Sequence, residues 1–521
     1  MKKILLQLLV VLGSYGAIAQ SINDPFFEKV SYIGAFGTED WTAGWANWKP
    51  QSTSYPDATE IIEGEITTNL VLDANKTYLL KGFVYVADGA SITIPAGTVI
   101  RGDKDSKGTL IIEKGGKIFA KGTKDKPIVF TSNQAIGSRS YGDWGGLVIC
   151  GKAKINVAGG SAVVEGGPRS TYGGNDDEDS SGVLSYVRIE FGGIPLLPDK
   201  EINGLTLGGV GSLTQIDHIQ ISYNGDDSYE WFGGTVNAKY LIAFRGWDDD
   251  FDTDYGFRGR VQFAVALRDP NIADVSGSNC FESDNDGSGS SNTPITSPVF
   301  SNLSYFGPKA NSSVTVNSNY KRAMHLRRNT RLKVYNSVFT GHPTGLFIDG
   351  TAAQTNATNN DLVVSHTIMS GMSNFFASNF ERSYFFSTDK KNDTLALNTL
   401  LLITDPFNLD APDFLPLANS PVLKRSVWYE SEIQEMNNYS DINAFPVPFT
   451  DQLTIGLNSQ NEGLVNIQLV DISGKTVYTD NQYVLSGQNY LTISSLNLQT
   501  GVYFLKLSNT LSTHIIKVLA N

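Results

Sequence analysis

The segment IDHIQISYNGDDSYEWF, starting at Ile216, is followed 22 residues later by AKYLIAFRGWDDDFDTD, starting at Ala238. Superposing the two aligns Ile219 with Leu241, Ile221 with Ala243, Asp226 with Asp248, Asp227 with Asp249 and Glu230 with Asp252. Apolar alternation at period two and turn-forming carboxylates therefore recur together. The interval is too short for a strand–helix–strand unit. A repeat of this size cannot bury its apolar face alone and becomes stable by stacking on its neighbours, which predicts a solenoid of short strands.

Other segments extend the pattern. YVRIEFGG from Tyr186 matches IQISYNG at an offset of 32, with the excess absorbed by an insertion around PLLPDKEI. Upstream, LLKGFVYVADGASITIPAGTVIRG, GTLIIEKGGKIFAKGTKDKPIVFTS and GGLVICGKAKINVAGG are β-branched runs divided by Gly-rich turns, with no helical interval between them. RVQFAVALRD, NSSVTVNSNY, TRLKVYNSVFTG and NDLVVSHTIMSG follow at uneven spacing. The expectation is an irregular parallel β-helix over 79–438 with loop insertions, preceded by an N-terminal cap and first coils over 20–78. Trp41, Trp45 and Trp48 are expected to cover the open edge of the first coil.

The chain opens MKKILLQLLVVLGSYGAIAQ, in which Lys2 and Lys3 precede an apolar run and the small-residue sequence Ala17-Ile18-Ala19. Residues 1–19 read as a secretory signal peptide. The formal net charge is −13, and loss of the leader makes it more negative. That balance argues against nucleic acid as a partner. The basic stretch KRAMHLRRNTRLK, from Lys321, reads as an exposed strand-and-turn face or as a binding site for an acidic glycan, with His325 its candidate imidazole. His218 is expected on a strand, facing solvent. Cys150 and Cys280 are open to a disulfide or to two separately buried thiols.

From about residue 439 the pattern changes to QLTIGL, LVNIQLVD, YLTISSL, VYFLKLS and HIIKVL, alternating strands that predict a small antiparallel β-sandwich. Its ordered motifs are Phe445-Pro446-Val447-Pro448-Phe449, the turn Asp471-Ile472-Ser473-Gly474-Lys475, Gly501-Val502-Tyr503 and a last strand with Lys517. This set resembles the type A sorting domain of the Bacteroidota type IX secretion system, although Pro446-Val447-Pro448 stands where that family commonly has Pro-Asn-Pro. The resemblance implies export through the type IX outer-membrane machinery, with Pro446, Pro448, Asp471, Gly474, Gly501, Tyr503 and Lys517 as sorting-domain residues. It further implies removal of residues 439–521 on export, with attachment of the remainder to lipopolysaccharide. The larger region looks like secreted right-handed β-helix proteins, among them relatives of polysaccharide-processing proteins. The expected location is secreted, or the outer-membrane surface of a Gram-negative bacterium.

Five aspartates fall within residues 248–254. In stacked coils about 4.8 Å apart, Asp226, Asp227 and Glu230 lie beside Asp248, Asp249 and Asp252 and repel unless solvated, protonated or bound to a cation. Three readings stand: a structural calcium site, a solvated acidic turn, and a catalytic or sugar-binding cleft. No organic cofactor is expected. Tyr229, Trp231, Arg245, Trp247 and Tyr255 are the candidate ligand-binding residues, since rings can cover sugar C–H surfaces. The expected function is glycan recognition or adhesion by an exported all-β protein. The alternative is a calcium-assisted polysaccharide lyase or glycoside hydrolase, for which Glu230, Asp249 and Asp252 offer carboxylates but the nearby arginines make poor general bases.

Overall fold

The computed structural model describes residues 21–164, 169–197, 200–429, 439–460, 462–508 and 513–521. The expected leader, 1–19, lies outside the described residues. The chain divides into two compact units near Leu423.

The first unit is a parallel β-helix. Its principal sheet has 26 strands, and its pairings are parallel throughout. Gln215–Ser222 pairs with Asn237–Phe244 in the register the repeat requires, Ile219 opposite Leu241 and Ile221 opposite Ala243. Gly182–Glu190 joins one coil earlier, with Ile189 opposite Ile221. Between these ladders runs a second face, Leu205–Val210, Tyr229–Gly234, Phe251–Asp254, Phe281–Ser283 and Arg322–Leu326, each pairing with the next. The interior is one continuous apolar stack containing Leu205, Tyr229, Phe251, Phe281, Met324 and Leu346. Two short helices, Thr351–Thr358 and Asn379–Phe385, interrupt the later coils.

Each long strand bends at one residue of left-handed backbone conformation. Tyr186, His218, Tyr240 and Phe263 have φ of 51°, 52°, 60° and 60°. A non-glycine residue there costs roughly 1–3 kcal/mol, and ring stacking offsets part of it: centroids lie 4.2, 4.4 and 5.1 Å apart along this column. His218 is therefore a half-buried corner residue with Nδ1 2.9 Å from Asp217 Oδ1, which corrects the expectation of a solvent-facing strand position.

The tryptophan-rich segment also departs from expectation. Trp45 packs on Tyr186 and His218, Trp41 on Tyr240 and Trp48 on Phe244. The segment thus covers the flank of several successive coils, where the aromatic corners create an apolar strip, and does not cap the first coil's open edge. Cys150 and Cys280 are free thiols, buried in different clusters.

The second unit contains an antiparallel sandwich. One sheet comprises Tyr439–Phe445, Gln452–Ser459 and Gly487–Ser494; the other orders Thr476–Val484, Gly463–Asp471, Gly501–Ser508 and Thr513–Ala520. Alternate residues such as Leu453, Ile455, Ile467, Leu469, Leu505 and Leu507 form its core. Pro446 and Pro448 lie between the first two of these strands. Asp471 Oδ1 accepts from the backbone N–H of Ser473 and Lys475 at 2.8 and 3.1 Å, and Gly474 (φ 87°) supplies the left-handed turn position. Gly501 opens its strand, Tyr503 is buried with its hydroxyl donating to Gln499 O at 2.9 Å, and Lys517 stands opposite Phe504.

Candidate functional site: an acidic column on the β-helix

In the strand Tyr229–Gly234, Tyr229 and Trp231 point into the coil, which leaves Glu230 between them on the outer face. The same alternation and parallel register place Asp252 opposite Glu230, Glu282 opposite Asp252, His325 opposite Glu282 and Phe347 opposite His325. A column of three carboxylates, an imidazole and a phenyl ring results, one residue per coil. His325 Nδ1 is 3.5 Å from Glu282 Oε2, its Nε2 is 3.2 Å from Asp349 Oδ2, and its ring stacks on Phe347 at 5.3 Å.

The turns before these strands bring in the remaining acids. One oxygen from each of Asp226, Asp227 and Asp248 lies within 4.8 Å of the others, and the same holds for Asp227, Glu230 and Asp252. Several acids in this region are already engaged. Asp249 accepts from Asn279 Nδ2 and Asp248 from Ser276 Oγ, while Asp250 forms a fully buried 2.9 Å ion pair with Arg268. Asp254 accepts from the N–H of Tyr255. Burial, then the carboxylates of Asp226, Asp249, Asp252 and Asp248, raise Asp227 well above the usual carboxylate range. Burial followed by Glu230 and Glu282 does the same to Asp252, and burial with Asp274 pushes Asp248 to about 7.

These acidic clusters can hold a metal ion: they offer hard oxygen donors whose mutual repulsion a cation would relieve. Asn203 fits the same chemistry. Its Nδ2 donates to Glu230, and its buried Oδ1 has no hydrogen-bond partner, leaving an amide oxygen beside the cluster.

The candidate ligand-binding residues separate into three groups. Tyr229 and Trp231 are fully buried, the Tyr229 hydroxyl donating to Ile219 O and Ile242 O, so neither ring can touch a ligand. Large aromatics at inward positions fill the wide coil interior. Arg245 is engaged by Asp269 and lies over the Tyr223 ring. Trp247, against Tyr141, and Tyr255, against Phe232, remain partly exposed beside the acidic strands.

The basic stretch meets the column's far end. Arg327 pairs with Glu282 and Asp284, and Arg328 with Asp284 at 2.9 Å. Beside them opens a hollow of about 340 Å³ lined by Arg327, Arg328, Asp349 and Thr351. The run Glu282–Gly287 could be read from the sequence as a further coil of the acidic edge, and Glu282 does stand opposite Asp252, whereas Asp349 and Phe347 join the site across loops of unequal length that hid their register from the 22-residue repeat.

Stacked parallel coils followed by a sorting sandwich define the chain as an exported β-helix protein. Residues 64–399 match the pectate-lyase like beta helix domain, and residues 443–521 match the secretion system C-terminal sorting domain. The chain belongs to the pectate-lyase-like β-helix family. Its sorting domain directs export through the type IX system to the cell surface or extracellular space, and among the described residues no helix is long and apolar enough to cross a membrane.

No curated protein matches the chain significantly. Among solved structures, the enzymatically active domain of tailspike protein 2 from bacteriophage CBA120 is 13% identical, with 85% of this chain and 72% of that one covered and a TM-score of 0.23. The Dettilon tailspike protein is 8% identical, with coverages of 82% and 87% and a TM-score of 0.21. A tailspike from Acinetobacter baumannii bacteriophage Fri1, a capsular polysaccharide depolymerase, is 11% identical, with coverages of 89% and 84% and a TM-score of 0.20.

Proposed function

We propose that this chain is an exported glycan-recognition protein whose ligand lies along the acidic column, with calcium held among the carboxylates. The observation that carries the reading is the in-register series Glu230, Asp252, Glu282 and His325, which repeats acceptor groups at the coil spacing along one face. Such a row suits a repeating polymer rich in hydroxyl groups. Calcium, which takes six to eight oxygen ligands in flexible geometry, relieves the repulsion among Asp226, Asp227, Asp248, Glu230 and Asp252 and retains coordination positions for sugar oxygens. Trp247 and Tyr255 offer partly exposed rings to sugar C–H faces. Removal of the sorting domain and attachment of the β-helix to lipopolysaccharide would then display this face at the cell surface.

The test is a glycan array probed with the purified β-helix-bearing chain in calcium and in chelator, with product analysis on every binder. Calcium-dependent binding that leaves the glycan intact is the expected result. Unsaturated or shortened products would assign the alternative, a calcium-assisted lyase or hydrolase. Absence of binding in both conditions would overturn the reading.

A further inference from the structure

The outer row that carries the acidic column continues past Phe347. Leu346 stands opposite Phe376 on the strand Asn374–Phe376, and the N–H of Ala377 donates to Leu346 O at 3.0 Å, which makes Ala377 the residue that follows Phe347 in the row. Its methyl group fills little of the space that a carboxylate, an imidazole or a phenyl ring takes in the coils before it. The residues on either side of it, Phe376 and Ser378, help to line a hollow of about 620 Å³ together with Asn374, Phe375, Asn379 and Arg382.

The chemistry of this hollow differs from that of the column. None of its lining residues is acidic. Phe375 and Phe376 are partly exposed, so apolar surface is left to water. Asn374 and Asn379 are exposed, and their side-chain amides make no hydrogen bond among the described residues. Arg382 lies over the Phe386 ring at 5.5 Å and forms no ion pair among the described residues, whereas Arg327 and Arg328 are tied to carboxylates. Glu381, its neighbour on the helix, is buried and turned away, accepting from the Ile348 N–H at 3.2 Å and the Ser378 hydroxyl at 2.6 Å. Half-buried rings beside unengaged amide and guanidinium donors are a combination suited to a pyranose, whose C–H face packs on the rings while its hydroxyl and ring oxygens accept from the N–H groups.

We infer that this hollow is a further sugar-binding position, taking a hydroxyl-bearing unit of the same glycan that lies along the acidic column, and so resting on the glycan-recognition reading of that column. Five coil steps separate Glu230 from Ala377, so the ligand is a chain able to reach about 24 Å at about 4.8 Å per step.

The test titrates the purified chain, in calcium, with size-graded fragments made by partial hydrolysis of the glycan retained on the array. Phe375→Ala and Arg382→Ala should bind fragments long enough to span both ends at least tenfold more weakly than the parent, yet bind the shortest retained fragments as the parent does; Asp252→Asn should weaken every length. Unfolding temperatures are measured in parallel, and if Phe375→Ala unfolds early the comparison rests on Arg382→Ala, which removes an exposed side chain. Folded variants that bind the long fragments as tightly as the parent would overturn the inference and leave recognition at the column standing, and equal weakening at every length would overturn it too. Self-association of the parent that Phe375→Ala abolishes, with glycan binding unchanged, would assign the hollow to a second copy of the chain instead. A parent that retains no glycan overturns the column reading and this position with it.

Discussion

Asp252 stands opposite Glu230 in the parallel ladder, and Asp227 approaches both so closely that one oxygen from each of the three lies within 4.8 Å of the others. Like charges at this range in a half-buried setting make this face of the β-helix sensitive to protons and cations.

The proton dependence has a definite sign. Asp227 and Asp252 are raised well above the usual range, and Asp248 to about 7, chiefly by burial. In the unfolded chain these groups ionise near pH 4. Without a cation, their contribution to stability is favourable below that value and is lost as pH climbs towards the raised folded values. In chelator at pH 8, Asp227→Asn should therefore unfold at a higher temperature than the parent, and the gap should narrow as pH falls and close only near pH 4, as read by calorimetry.

Calcium should reverse the order. At pH 8 a ligand at a hundred times its Kd adds about 2.7 kcal/mol to the parent's stability. Asp248→Asn and Asp252→Asn each remove a donor and should weaken calcium at least about tenfold, or 1.4 kcal/mol, in titration calorimetry.

The two tryptophans should behave oppositely. Trp231 fills the coil interior against Phe257 and Phe300. Trp231→Ala should cost about 3–5 kcal/mol in denaturant unfolding. Trp247, partly exposed, should lose much less stability on truncation while weakening glycan binding.

Arg268 and Asp250 form an ion pair with both side chains fully buried, and Arg268 Nε also donates to the Tyr320 hydroxyl at 3.2 Å. Arg268→Met strands a buried carboxylate and should cost about 3–5 kcal/mol. Adding Asp250→Leu should recover much of that loss, measured as the double-mutant coupling in urea.

Much of the fold could be read from the chain because strand alternation and turn carboxylates repeat at the same interval. Ile219 opposite Leu241 and Glu230 opposite Asp252 follow directly from that repeat. The corners did not, since no local pattern announces that Tyr186, His218 and Tyr240 adopt left-handed backbone and stack. Once they do, the tryptophan segment finds its apolar strip on the flank. The site was legible in its acids but not in its rings: period-two alternation sends Tyr229 and Trp231 inward with Phe251, while aromatic–acid proximity in sequence suggested a sugar platform. The acidic run from Glu282 could be read as another coil of the same edge, but its meeting with His325 and Asp349 depends on long loops that sequence spacing does not encode.

The central claim is most directly tested by comparing the parent, Asp252→Asn and Glu282→Gln on the glycan selected by the array, in calcium, with unfolding temperatures measured in parallel. Both variants should remain folded and bind at least about tenfold more weakly, a loss of 1.4 kcal/mol or more. Folded variants that bind as tightly as the parent would contradict recognition along the acidic column.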